Sequence, residues 1–220
     1  LAWALTGLLL QKTTRVPAWS SCLPEEIDAA SREQRFRRWL STSFVDTQRY
    51  YRPFITQALR AWIAHILYLA IDTSSITEDL VLARTAIIYR GRAVPVAWRV
   101  YQRRSVMLSF NQYTPLLRAT AQLIPRGVTV VLLGDRGFRD VRLMTLAREF
   151  HWHFRLRLAK NEKVGVGKQP LQPLNTWKLV AQQPRFLQHV RLTAQRVGPV
   201  NLALAWDGDP THEPWRIATD

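Results

Sequence analysis

The pattern of apolar and polar positions changes character near residue 63. Before that point the apolar residues recur at helical spacing. Leu5, Leu8 and Leu9, with Lys12, mark a first helix whose tail ends at Pro17. Ser31, followed three residues on by Gln34, reads as a capping box opening a second helix. In it Phe36, Trp39 and Leu40 share an apolar stripe and the arginines point away. A third helix, from about Arg52 to Ile63, spaces Phe54, Ala58, Leu59 and Trp62 along one face. After His65 the texture becomes that of strands. Ile66 to Ile71 is a continuous apolar run ending at Asp72, as expected of a strand buried on both faces. Val81–Tyr89 and Ala93–Tyr101 flank a turn at Gly91 and predict a hairpin. A helix over Phe110–Leu123 is predicted to stop before Pro125, and Val128–Leu133 forms a second buried strand running into Gly134 and Asp135. A helix over Val141–Phe150 and a strand over Trp152–Leu158 follow. From Asn161 to about Pro199, Gly165, Gly167, Pro170, Pro173 and Pro184 interrupt the pattern, and an irregular, β-containing insertion is expected. Val200–Trp206 and Trp215–Ala218 read as two more strands around a turn at Asp207–Pro210. The order predicts an α/β fold on a mixed sheet.

Charge changes this picture. The 220 residues carry 31 Lys and Arg against 16 Asp and Glu, a formal net charge of +15. Self-repulsion of that size is offset by a polyanionic partner, and the excess is mostly Arg, whose planar fork suits phosphate. Between Asp79 and Asp135 there is no acid, yet Arg84, Arg90, Arg92, Arg99, Arg103, Arg104, Arg118 and Arg126 lie there. A second acid-free stretch, Lys163 to Trp206, carries Lys163, Lys168, Lys178, Arg185, Arg191 and Arg196. Double-stranded DNA is the expected partner, with a merely solvated basic surface as the alternative. The single cysteine, Cys22, excludes an internal disulfide framework and a multi-thiolate metal site, which fits a cytoplasmic location. The apolar opening, Leu1 to Leu10, is too short to span a bilayer and is expected to be a buried helix.

Two positions stand out for chemistry because they share one construction. Each is an apolar strand delivering a lone aspartate at its carboxyl end, Asp72 after Leu69-Ala70-Ile71 and Asp135 after Leu132-Leu133-Gly134. That edge of an α/β sheet is where catalytic groups concentrate. Two carboxylates converging there repel each other unless a cation lies between them. Mg²⁺, or Mn²⁺, accepts a few carboxylates and keeps room for phosphate oxygens; two such ions ~3.5–4 Å apart serve phosphodiester chemistry. Either aspartate alone reads equally as a loop residue or a helix cap. A P-loop is excluded, since Gly165-Val166-Gly167-Lys168-Gln169 has the wrong spacing and no hydroxyl residue. The five histidines form no zinc signature, and no serine or cysteine nucleophile motif is present.

The segment Tyr68-Leu69-Ala70-Ile71-Asp72-Thr73-Ser74, followed by the basic hairpin Tyr89-Arg90-Gly91-Arg92-Ala93-Val94-Pro95-Val96-Ala97-Trp98, resembles the first catalytic block of DDE-type insertion-sequence transposases. Leu133-Gly134-Asp135-Arg136-Gly137-Phe138 resembles their second block. The resemblance implies a ribonuclease-H-like mixed sheet flanked by helices. Residues 1–62 would be a helical DNA-binding region, 63–160 the first part of the catalytic core, and 161–220 a β-rich insertion with the last core strand. It implies that Asp72 and Asp135 are the first two metal ligands; Thr73, Arg103, Arg104, Arg136 and Arg139, which carry phosphate-binding groups, are candidate DNA contacts. Arg136 would hold a phosphate beside the metal, or else pair with Asp140. The family's third acid lies on a late helix in a Tyr-two-Arg-three-Glu-six-Lys pattern. No tyrosine follows Tyr113, and Glu149, Glu162 and Glu213 do not match its context. A chain that stops before that helix is therefore expected, binding DNA as a possible homodimer on paired ends but turning over poorly. A ribonuclease-H-like nuclease or resolvase, and a non-catalytic DNA-binding remnant, are the alternatives.

Overall fold

The computed structural model describes residues 2–22, 26–62, 65–192 and 197–220. Ile63, the expected end of the third helix, and Arg196 lie outside the described residues. The chain forms two compact units, Leu1–Pro53 and Phe54–Asp220.

The first unit is helical: α1 (Ala2–Gln11), α2 (Val16–Ser20), α3 (Ala29–Ser41) and the opening of α4 (Thr47–Arg60). Ala4 and Phe36 form its small core with Val16, Trp19 and Trp39 packed around them. Trp19 meets Phe36 edge to face at 6.0 Å, a favoured quadrupole geometry. Gly7 permits the approach, since a Cβ there would lie 2.6 Å from Cβ of Trp19. Three expected boundaries are corrected. Pro17 does not end a helical tail; it sits in the first turn of α2, where its missing N–H is not needed. Ser31 is not the cap of α3, because the Asp28 carboxylate three residues earlier accepts from the Ser31 N–H at 2.9 Å. Likewise α4 starts before Arg52, where Asp46 accepts from the N–H groups of Gln48 and Arg49 at 2.9 and 3.2 Å. The expected burial of the leucine-rich opening is also corrected: Leu5, Leu9 and Leu10 of α1 are exposed, while Ala4 and Gly7 are buried.

The second unit is built on one ten-stranded mixed sheet. Its strands are β1 (Ile66–Thr77), β2 (Leu80–Tyr89), β3 (Arg92–Gln102), β4 (Thr129–Gly134), β5 (His153–Arg157), β6 (Lys163–Val166), β7 (Gln172–Pro173), β8 (Arg185–Leu192), β9 (Val197–Ala205) and β10 (Trp215–Thr219). They lie in the order β3-β2-β1-β4-β5-β10-β9-β8-β6-β7. β1, β4 and β5 run parallel, and every other neighbouring pair is antiparallel. This mixed sheet flanked by helices is consistent with the ribonuclease-H-like fold. Arg90 and Gly91, at φ 48° and 73°, form the turn of the β2–β3 hairpin, the left-handed pair that matches strand twist in a two-residue loop. Pro95 lies on edge strand β3 and Pro173 on edge strand β7, positions where a missing donor is tolerated.

Alternation gives the sheet two unlike faces. Leu67, Leu69 and Ile71 of β1, Val81 and Ala83 of β2, Leu132 of β4, and Phe154 and Leu156 of β5 are all buried. The helix α5 (Phe110–Leu123) packs on β2 and β3, and α6 (Val141–Glu149) packs on β5. A buried Thr85–Thr120 hydroxyl pair at 2.7 Å joins β2 to α5. The side chains between these positions face the other way and stay half-open, among them Tyr68, Ala70, Leu82 and Leu133. No described helix is long and apolar enough to cross a membrane.

Candidate active site

Parallel pairing of β1 with β4 sets Ala70 beside Leu133 and Ile71 beside Gly134. Asp72 and Asp135 each follow the last of these pairs, on strands ~4.8 Å apart. By the two-residue period Asp72 shares its face with Tyr68 and Ala70, and Asp135 continues the face of Val131 and Leu133. The register thus makes Asp72 and Asp135 each the next residue after a paired position on neighbouring strands. One expectation is corrected: β1 does not end at Asp72 but continues to Thr77, because β2 goes on pairing with it after β4 has left. Asp72 therefore lies inside a strand, at the point where its parallel neighbour departs.

Asp135 has a local capping role. It caps a short 3-10 turn, Arg136–Phe138, its Oδ1 accepting from the Gly137 N–H at 2.8 Å. Phe138 anchors that turn, buried and 5.3 Å from the ring of Tyr113. Gly134 lets the turn fold down, since a Cβ there would meet Cδ2 of Leu156 at 2.9 Å and Cβ of Phe138 at 3.1 Å. Capping uses one oxygen and fixes the direction of the carboxylate, so capping and a catalytic role are compatible.

Charges line up across the sheet on this face. Asp72 is directly opposite Arg84 on β2, whose Nη2 donates to Oδ2 at 3.1 Å. On the other side Gly134 pairs with Leu156, so Arg157 follows on β5 as Asp135 does on β4. Of these charges, Arg84 and Asp72 are cross-strand partners, while Asp135 lies just past the end of β4. Arg157 lies 4.6 Å over the ring of Trp215 and 3.6 Å from the Glu213 carboxylate. Arg136 does not pair with Asp140; its Nη1 donates to Glu213 at 2.6 Å, tying the loop after β4 to the loop before β10. Asp140 instead accepts from Arg142 at 2.7 Å, which holds its carboxyl below the usual range.

Thr73, Asp135, Arg136 and Arg139 line one cleft of about 280 Å³ with Met107 and Leu108. Arg139 donates to the Arg136 carbonyl at 2.8 Å and lies 3.5 Å from Glu162, whose carboxyl is raised by burial against the opposing pull of Arg139. The other two predicted contacts are not brought there. Arg103 donates to the Gln112 side chain at 2.8 Å and Arg104 to Asp79 at 3.0 Å, which places both at the far end of the β2–β3 hairpin. Two of the five histidines pair with carboxylates, His153 with Asp220 at 2.7 Å and His212 with Asp207 at 2.6 Å. The residue missed in the sequence is Arg84. It was one arginine among eight in an acid-free stretch, and only the strand register sets it against Asp72.

Among the described residues no group of three or more His, Cys, Asp or Glu side chains is placed to hold a metal ion. Asp72 and Asp135, if turned toward each other, would offer two carboxylates to one hard cation that keeps waters and phosphate oxygens as its other ligands. They are too few for a two-metal centre.

No family model matches the chain, and no curated protein matches it. Among solved structures, Argonaute of Marinitoga piezophila, in complex with 5′ OH guide RNA and target DNA, is similar over 71% of this chain at 7% identity and a TM-score of 0.31. The match takes in 22% of that chain, so this one spans about a fifth of its length. A likeness this loose carries no argument about function.

Proposed function

We propose that the chain is a DNA-binding protein of the DDE insertion-sequence transposase type, with Asp72 and Asp135 as two ligands of a divalent cation, Mg²⁺ or Mn²⁺. The observation that supports this reading is the parallel register that ends with Ile71 beside Gly134, so that each aspartate is the next residue on neighbouring chain segments, in a chain of net charge +15. The resemblance of the segments around them to the two transposase blocks names the reaction: cleavage and strand transfer at the ends of an insertion sequence.

In this scheme Arg136, Arg139 and Thr73 surround the cleft beside Asp135 and hold a phosphate there through charge-assisted and hydroxyl hydrogen bonds. Asp72 and Asp135 would be the residues that hold the cation. When bound, the cation supplies Lewis acidity and lowers the pKa of its water. The capped Asp135 stays oriented without reorganisation, which is the residue's contribution to positioning. A non-catalytic DNA-binding remnant is the second reading, and the pairing of Asp72 with Arg84 favours it. Paired transposon ends would bring two copies together.

Two measurements test the proposal. Duplex affinity followed by fluorescence anisotropy is expected to fall steeply with salt, by about a thousandfold between 50 and 200 mM for six or more phosphate contacts. A nearly flat dependence rejects the electrostatic account. Asp72→Asn and Asp135→Asn are each expected to abolish any Mn²⁺-dependent nicking of supercoiled DNA while leaving duplex affinity equal or slightly raised. Nicking that survives either change removes that residue from the site, and its absence in the unsubstituted protein selects the non-catalytic reading.

A further inference from the structure

Arg84 holds one of the two carboxylates proposed above as cation ligands. It faces Asp72 in register across β1 and β2, Nη2 to Oδ2 at 3.1 Å, with the two side chains 39% and 49% exposed. An ion pair this open to water is weak and exchangeable. A divalent cation held by Asp72 and Asp135 would lie a few ångströms from the guanidinium and be repelled by it. A phosphate suits the guanidinium better, offering oxygens in the bidentate geometry that its fork matches. The half-open face leaves Arg84 free to turn toward such a ligand without disturbing the core beneath.

We propose that Arg84 is a positioning residue that couples cation binding to DNA binding. In the free protein it neutralises Asp72 and holds off the cation; when the DNA backbone arrives, it moves to a phosphate and Asp72 is released. Cation and DNA then bind with positive cooperativity, and linkage requires each to tighten the other by the same factor. Chemistry is thereby confined to the DNA complex. This inference rests on the acid-pair reading of the site, and the test separates the two.

Mn²⁺ binding to the full chain is followed by the electron paramagnetic resonance signal of the free ion, with and without a short random-sequence duplex. The duplex is expected to tighten Mn²⁺ binding by about tenfold in the unsubstituted protein. Arg84→Gln is expected to bind Mn²⁺ about tenfold more tightly than the unsubstituted protein without DNA, and to gain about twofold or less from the duplex. Arg84→Lys keeps the charge and loses the fork, so it is expected to exclude Mn²⁺ without DNA yet gain less from the duplex than arginine does. Unchanged or weaker DNA-free Mn²⁺ binding in Arg84→Gln, with its circular dichroism spectrum intact, overturns the coupling role. The same holds if the duplex tightens Mn²⁺ equally in both proteins. If no form shows saturable Mn²⁺ binding that Asp135→Asn removes, the acid-pair site itself falls, and this role with it.

Discussion

At the scale of single residues, Gly134 shows how tightly the candidate site is tied to the core beneath it. The carboxylate of Asp135 is aimed by a turn whose Phe138 packs down over Gly134 and Leu156, and a Cβ at Gly134 would stand 2.9 Å from Leu156 and 3.1 Å from Phe138. Gly134→Ala is expected to destabilise the protein by about 1–3 kcal/mol, the usual effect of overpacking, measured by urea denaturation. It should also weaken Mn²⁺ binding at temperatures where the variant is still folded; unchanged stability would mean that Leu156 moves aside freely. The two aspartates were legible in the sequence because each closes an apolar run, a local signal. Their partners were not. Arg84 is matched to Asp72 by strand register, and Arg136 to Glu213 across 77 residues of chain. A short local pairing of Arg136 with Asp140 looked as good on paper, yet Arg142 is the residue that reaches Asp140.

At the scale of elements, α6 depends on its cap. Asp140 accepts from the Arg142 backbone N–H at 2.9 Å and from its guanidinium. Asp140→Ala should cost about 1 kcal/mol at neutral pH, typical of a lost helix cap. The sign of its pH dependence follows from the lowered carboxyl. A carboxylate favoured in the folded state stabilises above its ordinary value of 3.8, and the contribution disappears as pH falls through the depressed folded value. The unsubstituted protein should therefore lose its advantage over Asp140→Ala below about pH 4. Urea midpoints of the two proteins, compared from pH 6 downward, check this, and a gap that persists at pH 2 contradicts it. Elements with strong periodicity were read closely: α5 matches its expected bounds, and the β2–β3 hairpin turns where Arg90 and Gly91 demand it. Those set by a carboxylate upstream were missed, as with Asp28 before α3 and Asp46 before α4. The tail of β1 was missed for a related reason. Thr73, Ser74 and Ser75 carry no apolar signal, and only their pairing with Leu82 and its neighbours makes them a strand.

At the scale of the whole molecule, the sequence announced an α/β order but not the width of the sheet. Glycines and prolines between Asn161 and Pro199 blur the local period, while membership of a sheet is decided by partners far along the chain. The strands β6, β8 and β9 join the same sheet beyond β10, extending it rather than forming a separate layer. That order bears on how the protein is made. β10 follows every other strand in sequence yet lies between β5 and β9, so a ribosome releases two half-sheets before the strand that unites them. Until then β5 and β9 present open edges to other nascent chains, the exposure that leads to aggregation in slow, nonlocal β structures. A chain stopped before Trp215 is expected to pellet on sedimentation while the 220-residue chain stays in solution. Equal solubility would mean that the half-sheets protect themselves. The sheet should accordingly be most vulnerable during synthesis while its two halves are made and the strand that joins them is still to come.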